Sequence, residues 1–112
     1  MKFHFIAIGG SVMHSLALSL HQAGHQISGS DDQLYDPARS RLAAAGLLPA
    51  AEGWDPSRIH AGLDGVVLGM HAFEDNPELS RARELGIPVY SYPEFIYERS
   101  RNKHRIVDKF RV

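Results

Sequence analysis

Two hydrophobic periods alternate along this chain. Phe3 to Ile8 form a short apolar run closed by Gly9-Gly10, the pattern of a strand buried on both faces. Beyond the glycines, Val12, Met13, Leu16, Ala17 and Leu20 recur at helical spacing, and Gly24 stands where a glycine closes a helix. The spacing predicts a helix over Ser11–Ala23. His25–Ser30 reads as a second, weakly apolar strand. Asp36-Pro37 sets a capping residue before a proline at the first helical position, so a helix is expected over 37–45, ended by Gly46. "LLPAA" at 47–51 is a candidate short third strand. Asp55-Pro56 repeats the cap-and-proline signal for a short helix ending near Gly62.

Gly65–Leu68 is the next buried strand. Asn76-Pro77 opens a helix with Leu79, Ala82 and Leu85 facing inward and Gly86 closing it. "IPVYS" is a strand, and Ser91 with Glu94 makes a capping box over "YPEFIYERS". "KHRIVDKFRV" starts like one more strand. Strands alternating with helices imply an α/β fold, a Rossmann-like doubly wound parallel sheet of about five strands with helices on both faces. Residues 1–103 read as one domain, and 104–112, basic and without a closing helix, as the start of a linker or strand leading out of it.

Composition narrows the function classes. The chain has 112 residues, 44% of them apolar, enough for one core. Its formal net charge of −1 gives no electrostatic footprint for nucleic acid or an anionic membrane. The absence of cysteine removes disulfides and thiolate metal sites. The opening apolar run is too short to span a bilayer, and Gly9-Gly10, His14, Ser15 and Ser19 break any signal-peptide core. A cytoplasmic domain is expected.

The candidate chemistry lies in the turn after the first strand. In doubly wound folds ligands sit beyond the carboxyl ends of the strands. Unpaired N–H groups and the helix dipole at the start of the first helix favour an anion there. The dinucleotide fingerprint is G-x-G-x-x-G; aligned on Gly9, this chain has Ala7, Gly9 and Val12 at the three positions. Only the glycine that admits a pyrophosphate is kept. An anion site and a plain turn both remain open on that evidence. Asp31, 22 residues after Gly9, sits where an acid accepts from a ribose hydroxyl, although the neighbouring Asp32 leaves room for a turn-capping role. Together they point to a nucleotide with a diphosphate and a ribose.

"HFIAIGGSVMHSLALSLHQAGHQISGSDD" and "VVLGMHAFEDNPELSRARELGIPVYSYPEF" resemble two blocks of the Mur ligases in the right order. His4, Phe5, Ile6, Ile8, Gly9, Gly10, Met13, Leu16, Ala17, Gly24, Gly29, Ser30 and Asp31 match the first pattern. The second holds the D-N-P-E helix start and the G-I-P-V strand. "VLGMHA" resembles the murein peptide ligase branch more than the UDP-N-acetylmuramate–alanine ligase branch, which tends to carry a serine pair there. The chain departs from the family at Ala7, Val12, His14 and Ser15.

The resemblance implies an N-terminal domain that binds the UDP part of UDP-N-acetylmuramate. It also implies central and C-terminal domains that supply ATP, magnesium and the incoming amino acid or peptide. The full reaction forms an acyl phosphate and then an amide, in peptidoglycan synthesis or recycling. Gly9, Gly10, Ser11, Val12 and Met13 are the expected diphosphate contacts, Asp31 the uridine contact, and His71, at a strand end, a further ligand contact. The chain contains no G-x-x-x-x-G-K-[ST], so no P-loop lysine, and is expected to bind without catalysing. The alternative is an NAD-type dinucleotide domain of an oxidoreductase or sensor, which the missing first and third glycines count against. A third reading is an assembly module that has lost its ligand site.

Other residues carry less. Seven histidines invite a metal, but His21 and His25 flank Gly24 and no carboxylate joins them at ligand spacing, so no metal site is expected. His14 lies on the first turn of the first helix, either facing the phosphates or packed. Tyr90, Tyr92, Phe95 and Tyr97 read as core and surface aromatics. Arg39, Arg41, Arg81 and Arg83 read as solvated helix faces. No catalytic residue is assigned.

Overall fold

The computed structural model describes residues 1–69, 72 and 74–100. Within them the chain runs β1 (Lys2–Ile6), α1 (Ser11–Gln22), β2 (Gln26–Ser30), α2 (Ala38–Ala44), a 3-10 turn (Pro56–Arg58), β3 (Gly65–Leu68), α3 (Pro77–Glu84), β4 (Val89–Ser91) and α4 at 92–100. The sheet has four strands in the order β2-β1-β3-β4, all parallel. β1 is central, with Phe5 opposite Gly29 on one side and Val67 on the other.

Alternation along β1 sorts the core into two layers. Phe3 and Phe5 join Met13, Ala17 and Leu20 of α1, Leu42 of α2 and Phe95 of α4 on one face. Ile6 joins Val66, Leu79 and Ala82 of α3 and Ile59 on the other. Phe95 meets Phe3 edge to face at 5.2 Å, which seats α4 against the first layer.

The expected strand at 47–51 does not form. Leu47 N–H instead donates to Leu42 O, closing α2, and Pro49 has no N–H to give a ladder. The count among the described residues is therefore four rather than about five. The "HRIV" strand lies outside the described residues, as do the expected linker at 104–112 and His71.

The cap residues hold with two differences, one of them that the helix expected to end near Gly62 is only the 3-10 turn Pro56–Arg58. Asn76 Oδ1 accepts from Glu78 N–H and Leu79 N–H, and Asp55 Oδ1 from Ser57 N–H, each before a proline. Asp36 accepts from Ser40 N–H and Oγ, and the helix there begins one residue late, at Ala38. Ser91 and Glu94 exchange the two bonds of a capping box at the start of α4.

Candidate functional site

The turn from β1 to α1 is built on β2. Ser30 O accepts from both Ala7 N–H, at 2.8 Å, and Ile8 N–H, at 3.0 Å. Bending the chain this sharply puts Ala7 at φ 71°, a left-handed conformation normally left to glycine. Asp31 follows directly on β2. Its Oδ2 accepts from Gly9 N–H at 2.8 Å and its Oδ1 from Asp32 N–H at 2.9 Å. A Cβ on Gly9 would lie 2.8 Å from Asp31 Oδ2 and equally close to Leu34 Cδ2. The close approach that Gly9 permits is therefore made by a carboxylate of the chain itself.

That contact redistributes the expected diphosphate donors. Gly9 N–H is engaged by Asp31, and Gly10 N–H is directed at Ala7 O, at 3.4 Å. Gly10 is the N-cap of α1 and offers no side chain, and no acid lies in the first turn. His14 N–H bonds Gly10 O. The N–H groups of Ser11, Val12 and Met13 are those the helix start leaves over. Ser11 and Val12 are exposed, Val12 at 46%.

His14 is packed rather than presented to a ligand. It is 3% exposed, its Nδ1 is 3.0 Å from Gly10 O, and its Nε2 is 3.3 Å from Arg41 NH1. A carbonyl only accepts and a guanidinium only donates, so the proton is assigned to Nδ1 and the lone pair to Nε2. Arg41, expected on a solvated face, orients this ring.

Asp31 also lines a cleft of 330 Å³ beyond the strand ends, with Ala7, Asp32, Trp54, Asp75 and Asn76. Burial pushes the Asp31 carboxyl above its ordinary value. Gly9 N–H pulls against that, and Asp32 adds to the push. Ser11 and Val12 border a different hollow, against Tyr92 and Ile96 of α4. The structure thus brings Gly9 and Asp31 together, sets Ser11–Met13 across the turn from the cleft, and leaves His71 outside the described residues. No group of three or more metal-ligating side chains occurs among the described residues.

One set of polar residues escaped sequence reasoning. His4 and Glu78 are both fully buried, with Nε2 donating to Oε1 at 2.7 Å. His4 Nδ1 meets Ser28 Oγ at 2.8 Å. Glu78 Oε2 accepts from Asp55 N–H at 2.8 Å and lies 3.8 Å from Arg58 NH1. Burial pushes the Glu78 carboxyl up, but the bonds from His4, Asp55 N–H and Ser30 outweigh it and hold it below its ordinary range. Arg58 in turn donates to Ser30 Oγ, Gly53 O and Ala51 O. The one available signal was a histidine inside an otherwise apolar strand, which needs a buried partner.

A parallel α/β sheet with a glycine turn after its central strand and an acid at the end of the next strand has the architecture of a doubly wound ligand-binding domain. The sequence matches the model of the Mur ligase family, catalytic domain, over residues 2–104, and the chain belongs to that family. It is 45% identical over 96 residues to UDP-N-acetylmuramate--L-alanine ligase of Lactiplantibacillus plantarum, covering 84% of this chain and 21% of that protein. It is 31% identical to UDP-N-acetylmuramate--L-alanyl-gamma-D-glutamyl-meso-2,6-diaminoheptandioate ligase of Escherichia coli, over 88% of this chain and 21% of that one.

Solved structures of both branches superpose. A murein peptide ligase from Psychrobacter arcticus gives a TM-score of 0.77 at 31% identity, over 88% of this chain and 20% of that one. The UDP-N-acetylmuramate-alanine ligase of Thermotoga maritima gives 0.73 at 27% identity, over 93% and 23%. Of these two curated relatives, the alanine ligase has the higher identity. The chain spans about a fifth of the length of the curated relatives it matches.

Proposed function

We propose that this chain binds the UDP moiety of UDP-N-acetylmuramate, as the substrate domain of an amide-forming ligase of peptidoglycan synthesis or recycling acting in the cytoplasm. The observation that carries the reading is the uncapped start of α1 facing a turn held by Asp31. Three N–H groups, of Ser11, Val12 and Met13, and the positive end of the helix suit a diphosphate. Val12 does not obstruct this, since backbone N–H groups are supplied by any residue but proline. Gly9 and Gly10 shape the turn; their own N–H groups are directed at Asp31 and Ala7. Asp31 keeps lone pairs for a ribose hydroxyl or base N–H beyond the two donors it already accepts. His71 stays a candidate contact from the strand-end position in the sequence.

The membership of the Mur ligase family supports a sugar nucleotide over NAD. ATP and magnesium, which the family reading implies for the whole enzyme, do not fit the residues present. The sequence has no P-loop motif to cradle the phosphates that would carry the magnesium. Those groups, with the amine substrate, belong in this reading to central and C-terminal domains. Among the described residues no helix is long and apolar enough to cross a membrane.

Calorimetric titration with UDP-N-acetylmuramate, with NAD as comparison and both repeated on Asp31→Ala, tests the reading. Binding of the UDP-sugar alone, weakened by the substitution, is expected. Binding of NAD in its place, or of neither, overturns it.

A further inference from the structure

Trp54 is the only tryptophan of the chain, and it lines the cleft beside Asp31 and Asp32. It sits on a loop with no regular structure, yet the residues on either side of it are fixed. Gly53 N–H donates to Asp31 O at 2.7 Å, and Gly53 O accepts from Arg58 at 3.1 Å. Asp55 N–H donates to the buried Glu78 carboxylate at 2.8 Å. Arg58 reaches Ala51 O as well. The loop is thus tied at four points to the buried polar cluster and to the strand end that carries Asp31. Packing against the second core layer claims only part of the indole, which is half-buried.

The rest of the cleft wall is mixed, with Ala7, Ala72 and Pro77 apolar and Asp31, Asp32, Asp75 and Asn76 polar. Asp31 and Asp32 are acceptors, and Asn76, whose Oδ1 caps α3, has an amide nitrogen with no partner among the described residues. A flat apolar face bordered by acceptors and an amide donor matches a planar heterocycle carrying an N–H between two carbonyls. It does not match a phosphate, which the carboxylates of Asp31, Asp32 and Asp75 would repel.

We propose that Trp54 is the stacking wall for the nucleobase, with the Arg58–Glu78 brace holding the indole in place before ligand arrives. This rests on the reading of the chain as a binder of a uridine diphosphate sugar and names the residue that selects the base end. The ligand then lies with its base against Trp54, its ribose at Asp31, and its diphosphate across the Ala7–Gly10 turn at Ser11–Met13. Stacking is sequence-tolerant in general, so selectivity for a pyrimidine comes from the polar rim and the loop's fixed position.

The test is a titration of the 112-residue chain with UDP, followed in parallel by calorimetry and by Trp54 emission, with inorganic pyrophosphate as the ligand that has no base. UDP is expected to change the emission and pyrophosphate to leave it unchanged. Trp54→Ala should weaken UDP about tenfold or more while leaving pyrophosphate affinity as it was, and Trp54→Phe should restore most of the loss. A melting curve of each variant without ligand separates lost stacking from lost folding. If Trp54→Ala does not fold, emission of the native chain and the affinity of Trp54→Phe carry the decision. Heat of UDP binding with unchanged emission, or undiminished UDP affinity in Trp54→Ala, overturns the assignment and leaves the family-based reading standing. No heat with either UDP or UDP-N-acetylmuramate removes both.

Discussion

Ala7 is where backbone and side chain disagree most. Its φ of 71° is forced because Ser30 O takes two successive N–H groups across the turn, and an L-residue there costs about 1 kcal/mol. Ala7→Gly should therefore raise the unfolding free energy by roughly 0.5–1 kcal/mol in urea titration, net of the extra freedom glycine has when unfolded. No gain, or a loss, would show that the turn is not strained. The two buried carboxylates should show opposite acid responses. Glu78 lies below its ordinary 4.5, so its contribution is complete above that pH and is lost as pH falls through the lower folded value. Asp31 lies above its ordinary 3.8, so folding gains from it as pH falls through the raised value, and its ionised form costs stability at neutral pH. Glu78→Gln should cost about 1–3 kcal/mol at neutral pH, with the deficit shrinking in acid. Asp31→Asn should cost little stability at neutral pH while weakening the nucleotide. Urea midpoints of both variants across pH 3 to 7, on the order of the carboxylate range, check the pair of signs. Parallel curves for the two variants would contradict the assignment. The Asp31 position was legible because strand length fixes where β2 ends. The His4–Glu78 pair was not, because 74 residues separate its members and only the parallel order brings α3 under β1.

Helix boundaries were the most readable feature of the sequence, since proline and glycine act locally. Asn76-Pro77, Asp55-Pro56 and the Ser91–Glu94 box sit where their chemistry requires. "LLPAA" failed as a strand because its apolar residues finish α2 rather than pair: Leu47 is buried against the first core layer and its N–H closes the helix. The loop at 51–55, with no periodicity, gave no signal that Trp54 would be held in the cleft. The contrast between helix starts bears on function. α3 is capped by Asn76 and carries Glu78 in its first turn, whereas α1 has neither a cap nor an acid. Ser11→Asp should therefore stabilise α1 by about 0.3–1 kcal/mol through the helix dipole while abolishing diphosphate binding. Thermal melting together with UDP calorimetry measures both effects. Gained stability with retained UDP affinity would place the diphosphate elsewhere.

β1 joins everything else. Phe3 and Phe5 anchor the layer with α1, α2 and α4, while His4 and Ile6 anchor the layer with α3. Neither layer can open without exposing the central strand, so the chain should unfold as one cooperative unit. The expected binding groups lie beyond the C-terminal ends of that strand and of its neighbour β2, at Gly9 to Met13 and at Asp31, so occupancy should stabilise the whole molecule and not a loop alone. With UDP-N-acetylmuramate at a hundredfold over its dissociation constant, linkage gives about 2.7 kcal/mol. For a chain of this size that corresponds to a rise in melting temperature on the order of 10 °C. ATP with magnesium should give none, because the sequence has no phosphate-cradling lysine loop. Scanning calorimetry with each ligand, at matched ionic strength, decides between them. A shift with the UDP-sugar alone, lost in Asp31→Ala, is the result expected of a substrate domain whose chemistry is completed elsewhere. An equal shift with ATP would mean that the turn takes phosphates without reading what they are attached to, and the division of labour between domains would have to be redrawn.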